Sequence, residues 1–405
     1  MKILVLNAGS SSQKSCLYEI GGTIASQPPK PLWEAIVDWA HPTDRAEIKV
    51  KTATGAVLEE SITTQSRAEI TAHLLNTVWQ GKTQVIESLA EIDRVGHRVV
   101  HGGQSFRESV RITDAVKQTI ASLANLAPAH NPANLEGIES IEKILGDDVP
   151  QFAVFDTAFH RRLPDAAAIY PGIYDWVEQG IRRYGFHGIS HQYCAQRAAQ
   201  LLDRPLNDLK LIVCHLGNGC SLSAIREGHS IDTTMGFTPL DGLMMGSRSG
   251  AVDPGILLYL LRQGELTVDQ LDYQLNKESG LKGISGLSSD MRQIQSAIAA
   301  GHVRAKLALE IYGHRLRAAI GSMLANLGGL DALIFTAGVG ENSPQVRSIA
   351  CEPLAFLGLK LDATQNQNYP IDQDIAASDS TVRILVIHTQ EDWAIAQECY
   401  HQSLQ

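Results

Sequence analysis

The stretch "VLNAGSSSQKSCLYE", Val5 to Glu19, decides the fold. An apolar run over residues 2–7 reads as a buried strand and stops at Asn7. Gly9, Ser10, Ser11 and Ser12 follow, then Lys14, and a second apolar segment covers 15–20 before Gly21 and Gly22 end it. Six residues fit a strand and not a helix, so the stretch is a strand–loop–strand hairpin. Gly9 to Ser15 reads G-x-x-x-x-K-S, without the second glycine of a P-loop and without a following helix. The P-loop fails on sequence and on context. What remains is a loop of small residues whose backbone N–H groups can approach an anion, with a lysine to add charge: the physical recipe for a phosphate cradle.

The same logic recurs about 210 residues later, where "KLIVCHL" (210–216) leads through "GNGCS" into "LSAIREG". A third glycine-rich loop, "TAGVGENS" (336–343), follows a strand over 332–337 and precedes a helix. Its Gly338-Val339-Gly340 begins like a dinucleotide fingerprint but lacks the third glycine. Helical spacing covers 66–81, 114–126, 133–146, 189–203, 301–327 and 391–403, and further strands cover 151–156, ending in Asp156, and 383–388. Alternating strands and helices make the chain α/β. Two phosphate hairpins and a third glycine loop predict one nucleotide held between two related domains.

At 405 residues two or three domains are expected. A net charge of −10 without any basic block argues against a nucleic-acid partner and leaves room for a small positive pocket. Six cysteines without a C-x-x-C pair read as reduced thiols of a cytosolic protein. No apolar run approaches the roughly 18 residues of a membrane helix, and Ile3 to Leu6 is too short for a signal-peptide core. A soluble, cytoplasmic protein is the expectation.

"VLNAGSSSQK", "VGHRVVHGG" (95–103), "APAHNPAN" (127–134), "FDTAFH" (155–160), "YGFHGISH" (184–191), "HLGNGCS" (215–221), "DTTMGFTPLDGLMMGSRSGAVDPG" (232–255) and "TAGVGENS" follow one another across nearly the whole chain. In order and spacing they resemble the acetate kinases, within the actin, hexokinase and heat-shock-ATPase superfamily. The resemblance implies two duplicated actin-like, ribonuclease H-like domains with a nucleotide cleft between them. Their bounds are 1–157, completed by a C-terminal helix over 388–405, and 158–387. It also implies a homodimer and the reaction ATP + acetate ⇌ ADP + acetyl phosphate, with Mg2+ or alternatively Mn2+. A kinase for propionate or another short fatty acid differs only in the pocket walls. A nucleotide switch of the same superfamily, a non-enzyme, has no need of a pocket for a carboxylate.

A carboxylate of pKa about 4–5, by analogy with Glu, is already ionised at neutral pH and needs no general base. Attack of an anion on an anionic phosphoryl group calls for positioning and charge neutralisation. Arg98 and Arg248 are the candidates for holding the acetate carboxylate and the transferring phosphoryl, since the planar guanidinium suits oxyanions. The resemblance implies transition-state stabilisation by His187 and a phosphoryl contact by His130. It gives Asp156 an acid/base role, and an ionised nucleophile favours metal organisation instead. Asn7 and Glu391 correspond to the magnesium positions, although Glu391 also reads as an acid in the first turn of a helix. ATP contacts are implied for Lys14, for His215, Leu216, Gly217, Asn218 and Gly219, for Asp290, Met291 and Arg292, and for Gly338, Val339, Gly340, Glu341 and Asn342. Ser289 or Asp290 also reads as a helix cap. His187 and His191 share the i,i+4 spacing of metal ligands, but without an adjacent Glu or a third ligand they do not make a zinc site. The walls around the acetate methyl would be Val100, Ala129, Phe186 and Pro239. Ala129 stands where the family usually has Leu, which predicts activity toward propionate, and Gln13 stands where an aliphatic residue is usual.

Overall fold

Apolar runs interrupted by small residues become the central parallel strands of two sheets. The computed structural model describes the chain apart from Ser10, Ser11, Thr23, Ser26, residues 41–44 and 64–65, Ala129, Tyr369 and residues 403–405. The strands and helices given below are those of the described residues. They form two compact units, Met1–Ala158 with Gln390–Gln405, and Phe159–Thr389.

The first unit carries eight strands: β1 (Lys2–Ala8), β2 (Ser12–Glu19), β3 (Trp33–Ala40), β4 (Arg45–Thr52), β5 (Val57–Thr63), β6 (Arg94–Val99), β7 (Val110–Arg111) and β8 (Gln151–Phe155). Their order is β5-β4-β3-β2-β1-β6-β8-β7. The opening hairpin pairs β1 with β2 antiparallel, from Lys2↔Glu19 to Ala8↔Gln13. β1, β6 and β8 run parallel, with Leu6 opposite His97 and Val99 opposite Phe155. That register brings the carboxyl ends of the three strands, at Asn7, Arg98 and Asp156, to one edge of the sheet. Ligands of open α/β sheets bind outside such strand ends. Trp33, Leu4, Leu17 and Ile48 pack with Ile70 and Leu74 of the helix Arg67–Trp79 to form the core.

The second unit repeats the plan with β9 (Lys210–Leu216), β10 (Cys220–Arg226), β11 (His229–Thr233), β12 (Ala332–Thr336), β13 (Gln373–Asp374) and β14 (Arg383–Val386), ordered β11-β10-β9-β12-β14-β13. β9 and β10 form an antiparallel hairpin, and β9, β12 and β14 are parallel. Both sheets therefore contain a three-strand antiparallel ribbon that continues into two parallel strands. The chain has the two-domain, actin-like α/β fold that its motifs imply.

Three departures from the sequence reading have physical causes. The first hairpin's second strand starts at Ser12, three residues early, because Gln13 and Ser15 face the protein interior and pair along β1. The segment 114–126 is a helix only over Asp114–Ser122, followed by a 3-10 turn at Leu123–Leu126. Residues 337–342 are not a loop: they form the short helix Ala337–Asn342, entered through Ala337 at a positive φ of 64°. The helix Val303–Leu327 matches its expected span closely. No helix of the described residues is long and apolar enough to cross a membrane.

Candidate functional site

In the first unit, the strand ends meet the start of the helix Glu391–His401. The half-buried Arg98 and the buried Asp156 form an ion pair in which Nε (3.1 Å) and Nη2 of Arg98 both donate to Oδ2 of Asp156. Its Nη1 has no partner among the described residues. Burial pulls the pKa of Arg98 down, but Asp156 beside it, with Glu391 and Asp392 further off, holds it above the ordinary value. Asn7 Nδ2 donates to Asp392 Oδ1 (3.1 Å) and, at 3.4 Å, to Glu391 Oε2. Burial, aided by the charges of Asp156 and Asp392, pushes the Glu391 carboxyl up to about 7, against Arg98 and Asn7.

Lys14 lies on β2 and its ammonium is 2.7 Å from the buried Asp392 and 3.7 Å from Glu34. Burial lowers its pKa, and the neighbouring carboxylates more than restore it. Asp392 thus joins Asn7 to Lys14, a role the sequence reading missed because the acid follows Glu391 in an ordinary first helical turn. Gln13 is buried beside Ser15, its amide 3.2 Å from the hydroxyl. The Ser10–Ser11 part of the cradle lies outside the described residues.

Two asparagines of the "HNPAN" motif staple the chain beyond Arg98. Asn134 Oδ1 accepts from Val100 N–H at 3.1 Å, and Asn131 Oδ1 accepts from His101 N–H while its Nδ2 donates to His101 O, both at 3.1 Å. Thr157 accepts from Gly102 N–H (3.1 Å). A loop that leaves its sheet keeps its backbone polar groups paired in this way. Val100 is buried at this turn, and His130 precedes the helix Asn131–Leu145. Ala129 lies outside the described residues.

In the second unit, His187 opens the helix Gly188–Leu201 with a left-handed backbone, φ 56° and ψ 25°. A non-glycine residue held there stores strain that functional sites commonly carry. Its ring stacks on His215, with centroids 4.1 Å apart. Its Nδ1 lies 2.9 Å from Ser221 Oγ, and the same hydroxyl lies 2.7 Å from His191 Nε2. The i,i+4 histidines therefore converge on a serine. His215 Nδ1 pairs with Ser190 Oγ (2.8 Å), and His160 Nε2 donates to the carbonyl of the buried Phe186 (3.0 Å).

Arg248 donates from Nη1 to Pro239 O at 2.6 Å, which leaves Nε and Nη2 without a partner among the described residues. No carboxylate pairs with it there, and burial lowers its pKa. A Cβ on Gly219 would stand 3.0 Å from Arg248 Nη2 and 3.3 Å from His187 Nε2. Arg248 Nη2 and His187 Nε2 therefore converge on the backbone of the second hairpin, which approaches them only because it carries no side chain there. Gly246 is also closely approached, since its Cβ would stand 3.0 Å from the backbone oxygen of Ser289. Gly217 N–H closes the hairpin onto Gly219 O (2.9 Å), and Leu216 is buried in β9.

The remaining expected nucleotide residues fall in two places. Asp290 caps the helix Met291–Ala299 by accepting from Arg292 N–H (2.8 Å) and also holds the exposed Arg292 guanidinium, while Met291 is buried. In the helix Ala337–Asn342, which includes Gly338, Val339 and Gly340, Glu341 accepts from the Ala337 and Thr389 N–H groups, at 2.8 and 3.2 Å, and pairs with His388. Burial raises the Glu341 carboxyl, and His388 with these donors brings it below the ordinary range. Asn342 Nδ2 donates to Gly338 O (2.9 Å). The fully buried Arg347 donates to the carbonyls of Gly340 and Glu341 at 2.8 Å and to Asn366, and burial pushes its pKa down to about 10. Arg347 is a second residue absent from the sequence reading, since one arginine on a helix reads as surface charge.

The described residues hold no group of three or more His, Cys, Asp or Glu side chains that would cage a metal. Asn7 and Glu391 fit a different cation, one that keeps most of its water and takes one or two protein oxygens. A half-buried carboxyl with raised proton affinity, as Glu391 has, gains from such a positive neighbour.

A family model described as the acetokinase family matches residues 2–397. A protein of Nostoc sp. named acetate kinase is 67% identical over 402 residues, covering 99% of each chain. Another so named, of Trichormus variabilis, is 66% identical with the same coverage. Among solved structures, the acetate kinase of Porphyromonas gingivalis superposes with a TM-score of 0.89 at 38% identity, covering 99% of each chain. A propionate kinase of Francisella tularensis gives 0.89 at 39% identity, again over 99% of each.

Proposed function

The chain belongs to the acetokinase family and is an ATP-using kinase, and on that premise we propose how its own residues carry ATP + acetate ⇌ ADP + acetyl phosphate. The observation that carries the reading is Arg248. A half-buried guanidinium without a carboxylate is costly until an anion reaches it, and its Nε–Nη2 edge is the edge that grips an oxyanion in two parallel hydrogen bonds. With His187 Nε2 beside it, this edge takes equatorial oxygens of the transferring phosphoryl group.

Arg98 holds the acetate carboxylate through the outward Nη1 side of its guanidinium, because Asp156 occupies Nε and Nη2. Asp156 then orients Arg98 and organises water around the metal, with no proton to remove from an ionised substrate. His130 assists at the phosphoryl. The family resemblance assigns the methyl group of the acid to Val100, Ala129, Phe186 and Pro239, with Ala129 standing where the family usually has Leu. Asn7 and Glu391 hold Mg2+, or Mn2+ in its place, which when bound neutralises charge on the nucleotide phosphates. Lys14, fixed by Asp392, lends charge to the first hairpin. The nucleotide takes the 215–219 hairpin, the Asp290–Arg292 cap and the 338–342 helix.

Exposed apolar side chains on two consecutive helices, Ile256, Leu258 and Tyr259 of Pro254–Gln263 and Val268 and Tyr273 of Val268–Lys277, support a homodimer through this face. Six buried cysteines without a disulfide support a reducing, cytoplasmic setting. The test is hydroxylamine trapping of acyl phosphate with Mg-ATP and acetate, propionate or butyrate. Metal-dependent hydroxamate from acetate, abolished by Arg248→Ala, is expected. Nucleotide binding without hydroxamate from any acid would refute the reading in favour of a switch.

A further inference from the structure

Ser221 Oγ has two partners among the described residues, His187 Nδ1 at 2.9 Å and His191 Nε2 at 2.7 Å. A hydroxyl has one proton to give, so the two imidazoles cannot play independent roles. In one arrangement His191 Nε2–H donates to Ser221 and Ser221 donates to His187 Nδ1. The single ring proton of His187 then sits on Nε2. In the reverse arrangement Ser221 donates to His191 Nε2 and accepts from His187 Nδ1–H, leaving a bare lone pair on His187 Nε2.

The other end of His191 decides between them. His191 is fully buried, and its Nδ1 has no hydrogen-bond partner among the described residues. The reverse arrangement would place a proton on that Nδ1 and strand a buried N–H donor, the rarest kind of unsatisfied group. The forward arrangement strands only a lone pair. Burial beside His160 and His215 also lowers the pKa of His191, which keeps it to one ring proton. Ser221 is itself fully buried in β10, and His191 is locked in the helix that His187 opens.

We propose that His191 and Ser221 form a fixed relay that holds His187 as its Nε2–H tautomer, so that its donor points over Gly219 beside Arg248 Nη2. His191 and Ser221 are positioning residues, acting on substrate only through His187. The relay rests on the reading that His187 serves the phosphoryl group, where a bare nitrogen would face oxyanions and a donor would bind them. The nitrogen that carries the proton in a histidine is set by the hydrogen bond at the other nitrogen.

The wild-type full chain, with 15N in the histidine rings, reports the tautomer directly by NMR. His187→Gln identifies the signals, and no substrate is needed. The expected result is a protonated Nε2 and an unprotonated Nδ1 on both His187 and His191. A proton on Nδ1 of His187 overturns the relay. In the trapping assay, Ser221→Ala is expected to lower kcat about tenfold or more, as loss of a tautomer-fixing partner does elsewhere, with KM for acetate and ATP within about twofold. A folded Ser221→Ala protein with wild-type kcat also overturns it. Absence of acyl phosphate from the wild type counts against the kinase reading alone, since the tautomer is measured without turnover.

Discussion

Gly219→Ala tests the geometry of the second hairpin with the smallest available change. The added methyl would lie 3.0 Å from Arg248 Nη2 and 3.3 Å from His187 Cε1 and Nε2. Ordinary contact begins at 3.4 Å, so the guanidinium must yield by a few tenths of an ångström while His187, pinned through Ser221, yields less. A displacement of about 1 Å in a catalytic group costs about 100-fold, and a shift of less than half that size sets the expectation at about a tenfold loss of kcat. The backbone of Gly219 is not left-handed. Alanine is therefore tolerated there, and its smaller unfolded-state freedom offsets the crowding by about 0.4–1 kcal/mol. Activity should thus fall while Tm stays within about 2–3 °C of the wild type, where 1 kcal/mol moves Tm by about 2–4 °C. Initial rates by hydroxylamine trapping and a thermal melt on the same preparation measure both. A variant with wild-type kcat would mean that the convergence of Arg248 and His187 on this backbone is irrelevant to turnover. A variant that loses activity only in proportion to unfolding would refute the positional argument as well.

Glu391 makes a pH prediction. Its carboxyl holds a proton to about 7 when folded and to about 4.3 when unfolded, so its stabilising contribution is complete below pH 4.3 and is lost as pH rises through 7. In metal-free buffer the Tm advantage of Glu391→Gln over wild type should therefore grow from pH 5 to pH 8. Mg2+ should close that gap by stabilising the wild type, and a gap that ignores both pH and metal contradicts the assignment. Asn131→Ala removes both Asn131 hydrogen bonds to the His101 backbone, at 3.1 Å each, a loss of about 2 kcal/mol or more. In the unit that contains it, Tm should drop by about 4–8 °C, with a raised KM for acetate; a melt unchanged from wild type would dissolve the staple. Ala129→Leu adds about three heavy atoms at the position the family resemblance assigns to the acid's methyl group, at roughly 1–3 kcal/mol per methylene of discrimination. The ratio of propionate to acetate kcat/KM should fall at least tenfold, and an unchanged ratio would remove Ala129 from the specificity pocket.

Much of the fold was legible because its central strands are apolar runs cut off by small residues, as at Asn7 and Leu216. The meander β3–β5 escaped because its signal is of a different kind: in β4, Ala46, Ile48, Val50 and Thr52 are buried between exposed charges. Only a strict count of period two would have found it. Within the site, residues at strand ends such as Arg98 and Asp156 were readable, as were those in glycine-rich motifs. Asn131, Asn134, Asp392 and Arg347 were not. Each acts by filling a hydrogen-bond deficit that exists only after the chain has folded, and that deficit has no local signature in sequence. Lys14 was visible, but its carboxylate partner lies 378 positions away at Asp392.

The last helix belongs to the unit that the first residues begin. Trp393 is buried against Tyr18, with ring centroids 5.3 Å apart, and Arg94 Nη1 donates to Cys399 O (2.8 Å). Gly96 has no room for a Cβ because Ile395 and Cys399 would stand 2.6 Å from it. Domains usually complete themselves in the order in which they leave the ribosome. Here that order is inverted: Phe159–Thr389 is contiguous and can close while the amino-terminal sheet still waits for Gln390–Gln405, which are made after it. Until then one face of β1, β2 and β6 stays bare, so a ribosome that stalls before residue 390 releases a chain with a finished second half and an unsealed first.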